Sequence, residues 1–171
     1  MRLSSELLEI KQAVEEALGA FIGELPVDWA GKEHDAVSRF VMRHLINKCE
    51  PGTALYSPAQ IGIEIPVAKP VSLDRQKPSS WKDVVIWSEP GMTAFDQELN
   101  PVQFPAAVIE WKVHFKNGRS KAKLTEEIHK DHDWLSAFTD EHEESLGYSV
   151  FLETIPEHRL LVDFFYRGNA A

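Results

Sequence analysis

Apolar residues recur along this chain with two different periods, and the change of period divides it. Leu7, Ile10, Val14, Leu18 and Phe21 follow the three- and four-residue spacing of a helix face, with Glu and Lys filling the other side. They predict a helix over about 5–20. Pro26 and Gly31 bracket a short connection. Val37, Phe40, Val41 and Leu45 then form a second stripe, predicting a helix over about 32–48, and Glu33 joins that face one turn before Val37. After Pro51-Gly52 the period drops to two. Residues 60–67 alternate with Ile61, Ile63 and Ile65 on one face, and Pro66 marks an end or an edge. Residues 82–87 and 106–115 read as two further strands, separated by a long loop at 88–105 containing Pro90-Gly91, Asn100-Pro101 and Pro105. Asn117-Gly118 predicts a turn. Leu124, Ile128, Leu135 and Phe138 predict a helix over about 121–139, and strands at 147–153 and 158–165 close the chain around a tight connection at Pro156.

The order is helix, helix, three strands, helix, two strands. An α/β fold is the simplest solution, a central mixed sheet of about five strands flanked by helices. The helix at 121–139 joins strand 106–115 to strand 147–153 as a parallel crossover would. At 171 residues the chain is expected to be one domain, 1–171, with the helix at 5–20 packed on a core spanning 32–165. It shows no internal repeat and no low-complexity linker.

Composition narrows the function classes. At 43% hydrophobic and 26% charged the chain is that of an ordinary globule. Trp81, Trp87, Trp111 and Trp134 fall mostly at core periodicity, so packing is expected of them rather than base stacking. Cys49 is the single cysteine, which rules out an internal disulfide and a cysteine-based zinc site and fits a reducing, cytoplasmic setting. No apolar run reaches membrane-span length, and acidic residues interrupt the first ten positions, unlike a signal peptide. The net charge of −9 argues against coating nucleic acid by bulk charge. That charge is uneven. Lys112, Lys116, Arg119, Lys121 and Lys123 form a run with no acid among them, while Glu126, Glu127, Asp131, Asp133, Asp140, Glu141, Glu143 and Glu144 follow. His129, Asp131, His132 and Asp133 match no common zinc spacing and read as surface polar residues. No glycine-rich phosphate loop and no nucleophile elbow occur.

The candidate chemistry lies in Ala106-Ala107-Val108-Ile109-Glu110-Trp111-Lys112-Val113-His114-Phe115. Period-two geometry puts Glu110 and Lys112 on one face, with Val108 and His114, while Ala107, Ile109, Trp111, Val113 and Phe115 form the other. Asp83 opens the neighbouring apolar run Val84-Val85-Ile86-Trp87. Side by side, these strands would bring Asp83, Glu110 and Lys112 together. Two carboxylates suit a hard divalent cation, and an adjacent Lys can orient water or stabilise charge, which is the chemistry of metal-assisted phosphodiester cleavage. The bland alternatives are that Asp83 merely caps a strand and that Glu110 and Lys112 form an ordinary pair on a solvent face. Glu33 in turn has an ordinary reading as a helix-start acid favouring the dipole.

Lys82-Asp83-Val84-Val85-Ile86, followed by Glu110-Trp111-Lys112 in the next strand, resembles the signature of the PD-(D/E)xK nuclease superfamily, which has the restriction-endonuclease-like fold. Lys82 stands where the signature has Pro. Asp131-His132-Asp133-Trp134-Leu135 and Gly147-Tyr148-Ser149-Val150-Phe151-Leu152 extend the resemblance, which covers roughly residues 32–165. It implies a restriction-endonuclease-like fold, metal binding of Mg²⁺ (or Mn²⁺) by Asp83 and Glu110, a water-positioning role for Lys112 and a completing carboxylate from Glu33. The implied function is a nuclease, or a nuclease-like hydrolase of phosphodiester bonds in DNA or RNA, with Lys116, Arg119, Lys121 and Lys123 available to the phosphate backbone and a homodimer needed for paired cuts in a duplex. The competing expectation is a catalytically inactive protein of the same fold, whose acidic helix meets a basic protein partner.

Overall fold

The computed structural model describes residues 3–26, 28–73, 78–115, 118–154 and 157–167. Helix α1 spans Ser5–Gly23, and Ser4 caps it by accepting a hydrogen bond from the Leu7 amide at 3.2 Å. Its buried face is Leu7, Ile10, Val14, Ala17, Leu18 and Phe21, so the predicted stripe carries the packing. Helix α2 spans Glu33–Phe40, with the Asp35 carboxylate accepting from the Lys32 amide at 2.9 Å. It continues as a π-helical turn at Val41–Leu45 and a 3₁₀ turn at Ile46–Lys48, so the predicted segment is continuous but changes pitch. The wide turn keeps Val41, His44 and Leu45 buried along with Phe40.

Five strands form one sheet in the order β1-β2-β3-β4-β5. They are β1 (Ile61–Ala68), β2 (Ser79–Ile86), β3 (Ala107–His114), β4 (Leu146–Glu153) and β5 (Arg159–Phe165). β1–β2, β2–β3 and β4–β5 are antiparallel, and β3–β4 is parallel across helix α3 (Lys121–Glu141). The α/β order, the adjacency of β2 and β3 and the parallel crossover are as expected from the sequence. Residues 155–156, where the Pro156 connection was expected, and residues 116–117, with the first half of the Asn117-Gly118 turn, lie outside the described residues. Among the described residues no helix is long and apolar enough to cross a membrane.

The sheet has two differently built faces. On one, α1 and α2 bury Phe21, Phe40 and Leu45 against Ala107, Ile109, Trp111 and Val113 of β3. Trp111 is enclosed, its ring 5.3 Å from both the Phe21 and Phe40 rings. On the other, α3 packs Trp134, Leu135 and Phe138 against Val67, Val85 and Val108.

Three sequence expectations are corrected. β2 starts at Ser79, not 82, so Asp83 sits mid-strand rather than at a strand start. Ile61, Ile63 and Ile65 do not share a face: Ile61 and Ile63 pack with the α1–α2 cluster, and Ile65 with the α3 cluster. The cause is Glu64, whose φ of +52° turns the strand over at that point. Ile65 then folds back so closely that a side chain at Gly62 would meet its Cγ1 at 2.5 Å. Finally, Trp81 is 70% exposed rather than packed, while Trp87, Trp111 and Trp134 are buried.

Candidate active site

The ladder between β2 and β3 runs through Ile86–Ala107, Val85–Val108 and Val84–Ile109 and then stops. β2 goes on pairing with β1 as far as Ser79, and β3 goes on pairing with β4 as far as His114. The two central strands therefore part just where Asp83 and Glu110 stand. Strand backbone that loses its partner needs other hydrogen-bond groups. Here side chains supply them. The Trp111 amide donates to Asp83 Oδ2 at 2.7 Å, and the Asp83 amide donates to Glu110 Oε2 at 3.4 Å. Each strand's carboxylate serves the other strand's N–H group. On the far side of β2, Glu64 is the residue omitted from the ladder opposite Asp83, and its carboxylate turns to His34 at 3.4 Å.

Charged groups close over this opening. Lys82 Nζ donates to Glu110 Oε1, with both side chains almost fully buried, and lies 3.5 Å from the Trp134 ring centroid. Lys112 Nζ lies 2.9 Å from Asp131 Oδ2 on α3 and donates to the Trp111 carbonyl at 2.8 Å. Glu33 enters from the start of α2. Its Oε2 lies 3.5 Å from Arg119 Nη2, and Arg119 also pairs with Glu127. Glu33 Oε2 is buried yet accepts no hydrogen bond.

Burial and charge set the protonation of the cluster. Burial raises Asp83, and the Trp111 amide and Lys112 oppose it only in part. Burial likewise raises Glu33, against Lys112 and Arg119. Glu110 is raised by burial, with Lys82 pulling the other way. Asp131 is raised by burial against the attraction of Lys112. Burial disfavours the Lys112 ammonium, but Asp131, Glu33 and Asp83 outweigh it, so Lys112 is held firmly protonated.

The four candidate residues, Asp83, Glu110, Lys112 and Glu33, are thus electrostatic neighbours contributed by three elements. Two plain readings of them fail on burial. Glu110 and Lys112 are not on a solvent face, because α3 covers it and Glu110 is 5% exposed. Asp131 is no surface residue either, since its side chain is 18% exposed and paired with Lys112. The spacing contained that signal, because Asp131 continues the stripe of Leu124 and Ile128 toward Trp134 and Leu135. Lys82 had no such signal: it precedes Asp83 by one and alternation would send it elsewhere.

The basic run is largely committed. Arg119 pairs with Glu33 and Glu127, and Lys121 pairs with Glu153 at 3.0 Å. Lys123 is exposed, and Lys116 lies outside the described residues. Among the described residues, no group of three or more His, Cys, Asp or Glu side chains is arranged to hold a metal ion. The donor chemistry of Asp83, Glu110 and Glu33 is nonetheless that of hard cations, carboxylate oxygens alone. A cavity of about 580 Å³ lies elsewhere, between the start of α1 and Tyr56, Ser88 and Glu144. Comparison of the chain with protein-family models, with curated proteins and with solved structures returns no match.

Proposed function

We propose that this protein is a metal-dependent nuclease, or nuclease-like hydrolase, of the restriction-endonuclease-like fold, acting on phosphodiester bonds in DNA or RNA. The observation that carries the reading is the parting of β2 and β3 at Asp83 and Glu110, with Lys112 and Glu33 as electrostatic neighbours of Asp83. The mixed sheet and the parallel β3–α3–β4 crossover are consistent with that fold.

In this reading Asp83 and Glu110 would hold a Mg²⁺ or Mn²⁺ ion, and Glu33, which Arg119 meets at 3.5 Å, would complete the carboxylate set. The bound ion supplies Lewis-acid polarisation of the scissile phosphate and a more acidic water. Lys112 cannot ligate a metal while protonated, and it is held protonated. Its task is to orient the attacking water or to stabilise charge developing on the phosphate. Asp131 positions Lys112 from α3. The Trp111 amide, donating to Oδ2, holds the Asp83 carboxylate in place.

Calorimetric titration with Mn²⁺ tests the assignment. The wild-type protein should bind, and Asp83→Ala and Glu110→Ala should each lose binding. Undiminished binding in both variants would reject the assignment.

One observation favours a second reading, an inactive protein of this fold serving as an interaction module. The Lys82 ammonium already satisfies Glu110, which makes the cluster stable without a metal. In that case the exposed acids of α3, such as Asp133 and Asp140, would meet a basic partner. A folded wild-type protein that binds no divalent ion and cleaves no nucleic acid would favour this reading.

A further inference from the structure

We infer that Lys82 is an internal cation that competes with the divalent metal for Glu110, so that a metal enters this site only as the Lys82 ammonium leaves. The inference rests on the metal-site reading above and adds a residue to it. Glu110 has two oxygens, and both are engaged: Oε1 accepts from Lys82 Nζ, and Oε2 faces the Asp83 amide at 3.4 Å. A hard dication needs direct contact with carboxylate oxygens and tolerates little distortion of its shell. It cannot share Oε1 with an ammonium, because two positive charges would then stand within a few ångströms in a poorly screened interior. Lys82 is 4% exposed, so its charge is not lost into solvent screening.

The seat is built, not incidental. The ammonium is clamped between Glu110 and the face of the Trp134 indole, a second cation-attracting group from another element. Lys82 therefore reaches the cluster with a defined position, and the cluster neutralises itself in the metal-free protein. Removing Lys82 should vacate Glu110 and tighten metal binding, the opposite of what removing a ligand or a merely structural residue does.

The test is Mn²⁺ titration of the full chain by calorimetry, with thermal unfolding measured with and without Mn²⁺, on the wild type, Lys82→Met, Lys82→Gln and the double variant Lys82→Met/Glu110→Gln. Lys82→Met should bind Mn²⁺ about tenfold or more tightly than the wild type and show the larger rise in Tm on adding it. Lys82→Gln keeps a donor for Glu110 without the charge, provides a gentler change if the Met variant does not fold, and should also bind more tightly. The double variant should lose the gain. In the unmutated protein, the ¹³Cε resonance of Lys82 should shift as Mg²⁺ saturates, which needs no variant. Wild-type affinity in a folded Lys82 variant, or an unmoved Lys82 resonance at Mg²⁺ saturation, would overturn the inference and leave the metal site standing. No Mn²⁺ binding by any of these proteins would overturn both.

Discussion

The two faces of β3 obey opposite rules although they alternate residue by residue. Ala107, Ile109, Trp111 and Val113 point into an apolar layer under α1 and α2. Val108, Glu110 and Lys112 point toward α3, where ammonium and carboxylate groups are buried beside Val85, Trp134 and Phe138. The first face derives its stability from dispersion and water exclusion, which tolerate no gap. The second carries charges whose desolvation must be met by pairing, an arrangement that contributes little net stability and is seldom kept for stability alone. One face supports the fold, and the other is where function is expected.

The largest effects should come from the apolar face. Trp111→Ala should cost about 3–5 kcal/mol, because Phe21 and Phe40 lose the ring they pack on and cannot fill its volume. Denaturant unfolding measures it. A cost near that of a surface substitution would remove Trp111 from the centre of the core.

On the charged face, Lys82→Ala should cost less, about 2–3 kcal/mol, because Glu110 is already raised by burial and takes up a proton rather than remain an unpaired buried charge. The double change Lys82→Met/Glu110→Leu should recover most of that loss. A double variant no more stable than the single would mean that the pair does more for the fold than its desolvation allows. Asp83→Ala should cost about 1–2 kcal/mol, since it strips the Trp111 amide of its acceptor at the end of the ladder.

How much of this could be read beforehand also differs between the faces. The apolar stripes of α1 and α2 and the alternation of β3 located the packed face, because burial of apolar groups leaves a period in the sequence. Asp83, Glu110, Lys112 and Glu33 were legible as residue types on shared faces; Asp83 and Glu110 meet across the opened ladder, while Lys112 and Glu33 pair with Asp131 and Arg119 beside them. The α3 cover over Glu110 was not legible, since a strand face looks alike whether it meets water or a helix with charged partners. Lys82 escaped because it pairs with Ile65, beyond the flip at Glu64, so it shares Ile65's α3 side rather than the face that plain alternation from Val84 predicts. The flip at Glu64 escaped too, since a positive φ at a non-glycine residue has no sequence signature.

The smallest effect is a pH slope. Glu33 is raised from 4.5 and Asp83 from 3.8 in the folded protein. The metal-free folded state therefore holds protons that the unfolded chain has released, so the cluster's contribution to stability is greatest below the unfolded values and is lost as pH rises through the folded ones. Glu33→Gln should flatten that slope and leave the metal-free protein at neutral pH as stable as the wild type or more so, by less than about 1 kcal/mol. Thermal unfolding from pH 4 to pH 8 measures it; a slope of the opposite sign, lost on substitution, would show Glu33 stabilised by Arg119 instead.

The central claim is that the charged face cleaves phosphodiester bonds, and a cleavage assay on single-stranded DNA, duplex DNA and RNA with Mg²⁺ or Mn²⁺ tests it most directly. The wild-type protein should cleave at least one of these substrates. Lys112→Ala should stay folded and lose about a hundredfold or more in rate, corresponding to about 3–4 kcal/mol of transition-state stabilisation. An inert wild-type protein across all three substrates, or a Lys112→Ala variant cleaving at full rate, would contradict the account.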